Sequence, residues 1–537
     1  MPTGPGHSET ATAALGRPTR RAQPLILIRG FGGLGVEDEK RIAYQGFNDG
    51  TVYPHKRGEN YIYEGLILRF MKSRWQYRDA TNVVGYYGSA VEALPGTIPD
   101  ALSHLDARYF SGDRMVIDPA MALTLLDPAR QGDPLKTLWV FRYYDLNDRM
   151  FRTYGEALVR LIDFIRALAQ DGGGKVPKVN ILAHSMGGLI VREAVQRILP
   201  EQGRAPAECI NKIVTLGTPH RGITFQILKE WLPIRAEEEL EHFNPDRQAD
   251  PENATGYLNF ARHFPPERLL TVVGTNYRSY GVAASSWMNR LFSVAGEFGP
   301  NYNRSDGLVK QSSAQMPGAP RSFVHKCHGG PDSLVTSREA FEIATRFFFG
   351  DVRVRLNLLE AKVSRGLDLI GKSEVFFGVS VKPRGVDFEL FHQSAEAENC
   401  YGPFSRPDLG DESPAFGWAG PDRLICEGWL DTSAIDPGPG APPGAPRDIV
   451  MRLDIYVGER DLFGLGFSDN VIFRKQYYVR AVLEPKLTLA LYTGEEFRDG
   501  AAGVPMTEVE GGWIFRVGGT GFEAALRISF EVEPDED

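Results

Sequence analysis

A short polar stretch in the middle of the chain places a serine where a strand and a helix should meet. The stretch AHSMG, residues 183–187, joins the apolar run Val179–His184 to a helical pattern from about Met186 to Leu199. A turn this tight exposes its central hydroxyl at the carboxyl end of the strand, and small neighbours relieve the strain. The stretch therefore predicts a nucleophile at Ser185; the alternative is a serine that only caps the helix, a position that serine favours.

A serine hydroxyl is a poor nucleophile at neutral pH, so the chemistry of Ser185 would need two partners. An adjacent neutral imidazole must accept the hydroxyl proton during attack. A buried carboxylate must then fix the imidazole tautomer and stabilise the charge that forms on the ring. Such a set of groups makes an acyl-serine intermediate, which water hydrolyses in a second step.

The elements that would position these groups alternate along the first two thirds of the chain. The apolar runs are continuous, which is typical of parallel strands covered on both faces. These runs are Leu25–Ile28, Thr137–Tyr144, Val179–His184, Lys212–Gly217 and Leu269–Thr275. Residues 151–170 have apolar side chains at helical spacing and precede DGGG, a helix stop. This alternation predicts an α/β doubly wound domain with a mostly parallel sheet.

The strand, turn and helix around Ser185 resemble those of the α/β-hydrolase family, in its lipase and esterase branch. The family's G-x-S-x-G corresponds to AHSMG, in which Ala183 replaces the first glycine. Alanine is small enough for the turn to survive. The resemblance implies an α/β-hydrolase fold and a serine nucleophile at 185.

A second resemblance concerns LILIRGFGGLG, residues 25–35, and the oxyanion hole. The family commonly has an apolar strand followed by His-Gly-x-x-Gly, but Arg29 stands here in the histidine position. The donors are main-chain groups, so the substitution need not abolish the hole. By resemblance, the amides of Phe31 and Met186 would bind the oxyanion. A plain glycine-rich turn or a nucleotide-binding loop is the alternative, although the G-x-G-x-x-G spacing is absent.

The resemblance also suggests the acid and the base. NRSDGLVKQSSA, residues 303–314, is similar to the loop that carries the acid, which would be Asp306. Residues 325–350 are similar to the loop and last helix that carry the histidine. His328 is followed by two glycines and lies 22 residues after Asp306, whereas His325 follows an apolar pair and fits the end of the last strand. We therefore predict Ser185, Asp306 and His328 as the catalytic residues, with His325 as the competing histidine.

Two other titratable residues are weighed against this assignment. His220, in VTLGTPHRG, precedes the acid in the chain, whereas the family order is serine, acid, histidine. We therefore predict a structural role for His220. Asp332 is the rival acid, but it is too near His328 in sequence to approach it from a separate loop.

The last third of the chain has a different pattern of apolar and polar residues. Several runs alternate with period two, which predicts half-exposed strands of an antiparallel β-sandwich. The clearest runs are Met451–Val457, Leu487–Leu491 and Leu526–Val532. Asp436–Pro446 is rich in proline and glycine and is predicted to be a mobile loop. The predicted organisation is a disordered tail at 1–22, a catalytic domain at 23–350 and a β-sandwich accessory domain at 351–537.

Two segments, about 36–134 and 223–267, break the strand–helix rhythm and are predicted insertions. Part of the second, FQILKEWLPIRAEEELEHF, has apolar residues at helical spacing among many acids. It predicts either an amphipathic lid over the site or a surface helix pair packed on the core. A lid favours lipid or longer acyl esters, and its absence favours small soluble esters.

Composition excludes some classes of protein. The net charge of −9 argues against nucleic-acid binding. The four cysteines match no metal or redox spacing, so we predict free thiols, no metal and no cofactor. No apolar run approaches the roughly 18 residues of a membrane helix, and we predict a cytoplasmic protein. The sandwich could contact lipid or a protein partner, and the oligomeric state is left open.

The predicted function is that of a serine hydrolase that cleaves carboxylic esters, with lipid-like acyl esters as the expected substrates. Two alternatives stay open. A hydrolase-fold protein without catalysis could bind a ligand or a partner, as the departures at Arg29 and Ala183 would allow. An acyltransferase or an amidase could use the same triad with a different acceptor or bond.

Overall fold

The computed structural model of the 537-residue chain describes twenty stretches of it. They are residues 22–30, 63–81, 83–86, 98–112, 115–126, 133–143, 146, 150–170, 176–222, 242–276, 305–330, 332–364, 374–384, 389–394, 399–405, 423–431, 449–460, 470–482, 487–498 and 502–532. The predicted tail before Ala22, the predicted loop 436–446 and the amino-terminal part of the predicted lid, 223–241, lie outside these residues.

The chain folds into two compact units. The first comprises residues 22–321 and 326–341, and the second comprises residues 322–325 and the described residues from 342 onward. The domain boundaries predicted from the sequence stay predictions.

A parallel sheet forms the centre of the first unit. Its strand order is β2-β5-β1-β6-β7-β8, and all of these pairings are parallel. The strands of this part of the chain are β1 Leu25–Ile28, β2 Arg78–Asp79, β3 Val84–Tyr86, β4 Val116–Ile117, β5 Thr137–Val140, β6 Val179–His184, β7 Ile210–Leu216, β8 Leu269–Gly274 and β9 Arg321–Val324. Every residue of β1, β5, β6 and β8 is buried, because both faces of the sheet are covered. The predicted α/β fold is confirmed.

The predicted strand at Thr137–Tyr144 is shorter than its apolar run. β5 ends at Val140, but Phe141 and Tyr143 remain buried. A continuous apolar run indicates which residues are buried, and residues after the end of β5 are still buried. The run therefore extends beyond the strand.

Helices of the first unit flank the sheet. Among the described residues they are α1 Glu64–Lys72, α2 Pro119–Leu126, α3 Phe151–Leu168, α4 Met186–Glu193, α5 Leu199–Glu201 and α6 Pro206–Cys209. A further helix, α7 Arg338–Phe349, begins in the first unit and continues into the second. Short 3-10 turns lie at Asp100–Leu102, Ala107–Phe110, Pro134–Lys136, Pro245–Arg247, Tyr257–Arg262 and Pro266–Arg268. A π-helical turn, Ala194–Ile198, joins α4 to α5, so the helix predicted from Met186 to Leu199 is not regular throughout.

The register of the sheet brings several strand ends to one edge. Ile28 of β1 lies opposite Ala183 of β6, and Leu216 of β7 lies opposite both His184 of β6 and Val272 of β8. The carboxyl ends of these parallel strands are therefore level. In open α/β sheets this is the edge at which ligands bind.

The second unit contains two antiparallel sheets, of order β14-β10-β21-β20-β19 and β12-β11-β15-β16-β17-β18, with β13 paired to β11. Its strands are β10 Val352–Val363, β11 Glu374–Pro383, β12 Phe391–His392, β13 Tyr401–Ser405, β14 Leu424–Leu430, β15 Ile449–Arg460, β16 Asn470–Val482, β17 Thr488–Thr493, β18 Val504–Pro505, β19 Thr507–Val509, β20 Gly512–Gly519 and β21 Phe522–Val532; one short helix, α8 Gly494–Arg498, follows β17. One hydrophobic core draws on both sheets, with Val354 from the first and Val379 from the second. The predicted antiparallel, β-rich fold is confirmed. No helix in the described parts of either unit is long and apolar enough to cross a membrane.

A buried arginine fastens the described end of the second insertion to the helix that follows Ser185. Arg192 of α4 donates hydrogen bonds to the His220 carbonyl at 2.6 Å, to Gln248 Oε1 at 2.9 Å and to the Thr255 carbonyl. Burial lowers the pKa of Arg192 to about 9. The guanidinium lies 5.5 Å from the ring of Phe243, within cation–π range. The part of the insertion from residue 242 is therefore fixed to α4.

We expect Arg192→Ala to lower the free energy of unfolding by about 3 kcal/mol or more, because each buried oxygen that loses its donor costs about 1–3 kcal/mol. Arg152→Ala is the control, since Arg152 pairs with Glu201 at 2.7 Å with both side chains more than two-fifths exposed. Its loss should stay below about 1 kcal/mol. Urea unfolding measures both variants, and equal losses would contradict a fastening role for Arg192.

Candidate active site

Ser185 occupies a strained turn between β6 and α4. Its backbone has φ 52° and ψ −124°, a region that residues with a side chain rarely adopt. Two hydrogen bonds hold the turn: the Ser185 N–H donates to the Leu216 carbonyl at 2.9 Å, and Thr218 Oγ1 donates to the Ser185 carbonyl at 2.9 Å. The Ser185 side chain makes no capping hydrogen bond to α4. Its hydroxyl is directed elsewhere.

The hydroxyl of Ser185 contacts a histidine and, through it, an aspartate. Ser185 Oγ lies 2.8 Å from Nε2 of His328, and Nδ1 of the same ring lies 2.8 Å from Oδ2 of Asp306. All three side chains are buried. Because a carboxylate only accepts hydrogen bonds, Nδ1–H donates to Asp306, and Nε2 of the neutral ring can accept the serine proton. The structure thus brings the three predicted catalytic residues together.

The surroundings of Asp306 fix its carboxylate. Oδ1 accepts hydrogen bonds from the amides of Leu308 at 3.0 Å and Val309 at 2.7 Å, which leaves Oδ2 for His328. The Asp306 carbonyl also accepts the His328 N–H at 2.9 Å. Gly217, at φ +56°, makes room for the pair, since a Cβ there would lie 2.9 Å from Asp306 Oδ2. The acid and the base are therefore held by main chain as well as by side chains.

One of the two predicted oxyanion donors lies in the described structure. Met186 is the first residue of α4, a position whose amide has no acceptor within its own helix. Phe31 lies outside the described residues. Its neighbour Gly30 lies directly against the serine, because a Cβ on Gly30 would lie 2.7 Å from Ser185 Cβ. Arg29, which stands in the family's histidine position, is buried.

The competing residues lie elsewhere. His325 directly follows β9. The Nε2 atom of the fully buried His220 lies 3.0 Å from Oγ1 of Thr215. Asp332 is half exposed and pairs with Lys326. Within the described part of the chain, no cluster of three or more His, Cys, Asp or Glu side chains could hold a metal ion.

Two buried residues beside the serine were not predicted from the sequence. The hydroxyl of Tyr63 lies 2.6 Å from Nδ1 of His184, and Nε2 of His184 lies 2.9 Å from the His328 carbonyl. The position of His184 directly before Ser185 in the motif was the one sequence feature that could have indicated a role for it. Tyr63 lies in the first insertion, where no pattern marks it.

Comparison with known proteins finds one family model that matches part of this unit. Residues 135–255 match the family described as the PGAP1-like alpha/beta domain. The first unit has the α/β-hydrolase fold. The match includes Ser185 and ends before Asp306 and His328. No curated protein matches the chain.

Solved structures with some likeness to this chain include a bacterial lipase and a bacterial phospholipase. The lipase BlEst2 from Bacillus licheniformis, in mature form, has a TM-score of 0.32 and 11% identity, over 62% of this chain and 95% of its own. The phospholipase PlaB from Legionella pneumophila has a TM-score of 0.32 and 10% identity, over 81% of this chain and 86% of its own.

Two buried histidines make the α/β-hydrolase domain sensitive to acid. Burial lowers the pKa of His184 and of His220 well below 6.5, so both are neutral in the folded state. The unfolded chain takes up their protons below its own pKa of 6.5, while the folded protein does not. The contribution of these two histidines to stability is therefore fully present above pH 6.5 and is lost as the pH drops below it.

We expect each of these histidines to cost about 1.4 kcal/mol of stability between neutral pH and pH 5.5. His220→Gln should lose less stability than the wild type over this interval, by about that amount. Urea unfolding at pH 7.5, 6.5 and 5.5 measures the difference. Parallel pH curves for the two proteins would contradict a neutral, buried His220.

Proposed function

We propose that the α/β-hydrolase domain cleaves carboxylic esters through an acyl-serine intermediate. Ser185 is the nucleophile, His328 is the general base and acid, and Asp306 orients and stabilises the imidazole. The observation that carries the proposal is the pair of 2.8 Å contacts from Ser185 Oγ to His328 and from His328 to Asp306. A protein that only binds a ligand has no need of this chain of contacts, which supports an enzyme.

The proposed reaction has two balanced steps. As Ser185 Oγ bonds to the ester carbonyl carbon, His328 Nε2 accepts the hydroxyl proton and the carbonyl becomes an oxyanion. The bond to the leaving alcohol breaks, and His328 returns the proton to that alcohol. Water then attacks the acyl-serine with the same proton transfers, which releases the acid and restores the Ser185 hydroxyl.

We propose the amides of Met186 and Phe31 as the donors to the oxyanion. The position of Met186 at the start of α4 supports its role, and the place of Gly30 against Ser185 supports that of the loop residue after it. Each such donor is worth about 10²–10³ in rate.

The acyl group is proposed to be lipid-like. The support is the apolar helical spacing in the segment 225–243, which follows the turn after β7. A series of p-nitrophenyl esters from acetate to decanoate tests this part of the proposal. We expect kcat/KM to rise with chain length, and a steady fall would restrict the substrates to small esters.

Fluorophosphonate labelling tests the reaction itself. We expect the probe to modify Ser185 and to abolish ester hydrolysis in proportion to the modified fraction, because only an activated serine reacts with it. The modified peptide is identified by mass spectrometry, and heat-denatured protein is the control. A label on a different residue, or full hydrolysis by the labelled protein, would contradict the proposal. Free acid as the main product in the presence of competing alcohols would separate a hydrolase from an acyltransferase.

A further inference from the structure

A hydrogen-bonded pair, Tyr63 and His184, joins Gly30, the residue before the proposed oxyanion donor Phe31, to His328, the proposed base. The Gly30 N–H donates to the Tyr63 oxygen at 2.9 Å, and this oxygen lies 2.6 Å from His184 Nδ1. On the other side of the ring, His184 Nε2 lies 2.9 Å from the His328 carbonyl oxygen. Four segments that are distant in sequence thus meet through two side chains.

The chemistry of these groups fixes the direction of every hydrogen bond. A carbonyl oxygen only accepts, so His184 Nε2 carries a proton and donates it to His328. Burial holds the pKa of His184 well below 6.5, so the ring is neutral and its Nδ1 is an acceptor. The hydroxyl of Tyr63 therefore donates to Nδ1 and stays protonated, since burial raises its pKa to about 12. The Tyr63 oxygen in turn accepts the Gly30 N–H.

The two ends of this pair lie where small displacements would matter. Gly30 touches both neighbours closely: a Cβ on it would lie 2.7 Å from Ser185 Cβ and 2.8 Å from His184 Nδ1. The His328 main chain is held between the Asp306 carbonyl, which accepts its N–H, and His184, which donates to its carbonyl. A shift of about 1 Å in such a site can cost 10²-fold in rate.

We propose that Tyr63 and His184 are positioning residues, which hold the loop at Gly30 and the main chain of His328 in register with Ser185. The inference rests on the proposed function. Their hydrogen bonds reach Gly30 and the His328 main chain, and both side chains act through these groups. The first insertion, which supplies Tyr63, is thereby part of the site.

Tyr63→Phe removes the hydroxyl and keeps the ring. We expect kcat to fall about tenfold to a hundredfold because the loop loses its support, with KM within about twofold of wild type. A trifluoromethyl ketone, which forms a tetrahedral adduct with the serine, should bind more weakly by the same factor as kcat. Rates are expressed per active site titrated with fluorophosphonate, so that misfolded protein does not lower the measured kcat.

Tyr77→Phe is the matched control. The hydroxyl of this buried tyrosine donates to the Gln23 carbonyl at 2.6 Å, so the variant loses one hydrogen bond of a buried tyrosine hydroxyl, whereas Tyr63→Phe loses two. We expect Tyr77→Phe to lose some stability but to keep wild-type kcat and inhibitor binding. Wild-type kcat and binding in Tyr63→Phe would overturn the proposal.

His184 variants test the other half of the pair. His184→Ala should lower kcat about as much as Tyr63→Phe or more. His184→Gln can keep the donor to the His328 carbonyl through its amide nitrogen, so it should recover part of the loss. Equal kcat in wild type and His184→Ala would overturn the proposal, and this pair decides the question if Tyr63→Phe does not fold. Full activity in Ser185→Ala would instead contradict the proposed function, whereas an inactive Ser185→Ala with an unimpaired Tyr63→Phe would contradict only the positioning role.

Discussion

Replacement of Ser185 with alanine should lower kcat for ester hydrolysis by a factor on the order of 10⁶. The reason is that alanine lacks only the hydroxyl, which the proposed mechanism uses as the nucleophile. The backbone of residue 185 keeps its strain, because alanine and serine both have a Cβ at φ 52°. Stability should therefore change little. Steady-state turnover of a p-nitrophenyl ester and fluorophosphonate labelling measure the effect.

Ser337→Ala is the matched control for the alternative in which Ser185 is only a helix cap. Ser337 is a buried serine whose Oγ accepts the Ala340 N–H at 3.2 Å at the start of α7. Its removal should cost about 1 kcal/mol of stability and leave kcat unchanged. The two variants should thus show opposite behaviour. Unimpaired turnover by Ser185→Ala, or a loss of stability without a loss of rate, would mean that hydrolysis does not pass through this serine.

The parallel sheet was predictable because its strands are buried on both faces. Continuous burial requires continuous apolar sequence, and β1, β6 and β8 begin and end within one residue of the predicted runs. The antiparallel sheets of the second unit were predictable for the complementary reason. In β10, buried Val352 and Val354 alternate with half-buried Arg353 and Arg355, which gives period two.

The contacts of Tyr63 and Arg192 were not predictable from local pattern. Tyr63 and His184 are 121 residues apart in the sequence. The periodicity of apolar residues predicts local structure and does not indicate contacts between such distant residues. Arg192 is a charged residue within a helix, and from the sequence alone its side chain would be predicted to be exposed. It is buried because its acceptors, the carbonyls of His220 and Thr255, come from segments 28 and 63 residues downstream. The residues of the proposed triad were also not predictable from local pattern. They were predicted from the family resemblance and the family's chain order, because sequence spacing alone does not show that three loops meet.

The second large effect is expected from Asp306→Asn, which should lower kcat by about 10⁴ by reversing the tautomer of His328. Asparagine can keep an oxygen at the Oδ1 position, where it accepts the amides of Leu308 and Val309. The opposite orientation would set its NH₂ group against those two N–H donors, so the amide nitrogen must face His328 Nδ1. Two donors cannot share that contact. The proton of the imidazole therefore moves to Nε2, which can no longer accept the proton of Ser185.

Asp332→Asn separates this effect from a general loss of negative charge near His328. Asp332 was the rival acid in the sequence, but it is half exposed and paired with Lys326, so its neutral variant should keep kcat within about twofold. Steady-state kinetics and the rate of fluorophosphonate labelling measure both variants, with urea unfolding to compare their stabilities. A large loss in Asp332→Asn with near-normal turnover in Asp306→Asn would assign the acid to residue 332. Equal small losses in both would mean that the imidazole needs no carboxylate to fix its tautomer, and the proposed mechanism would lose its third member.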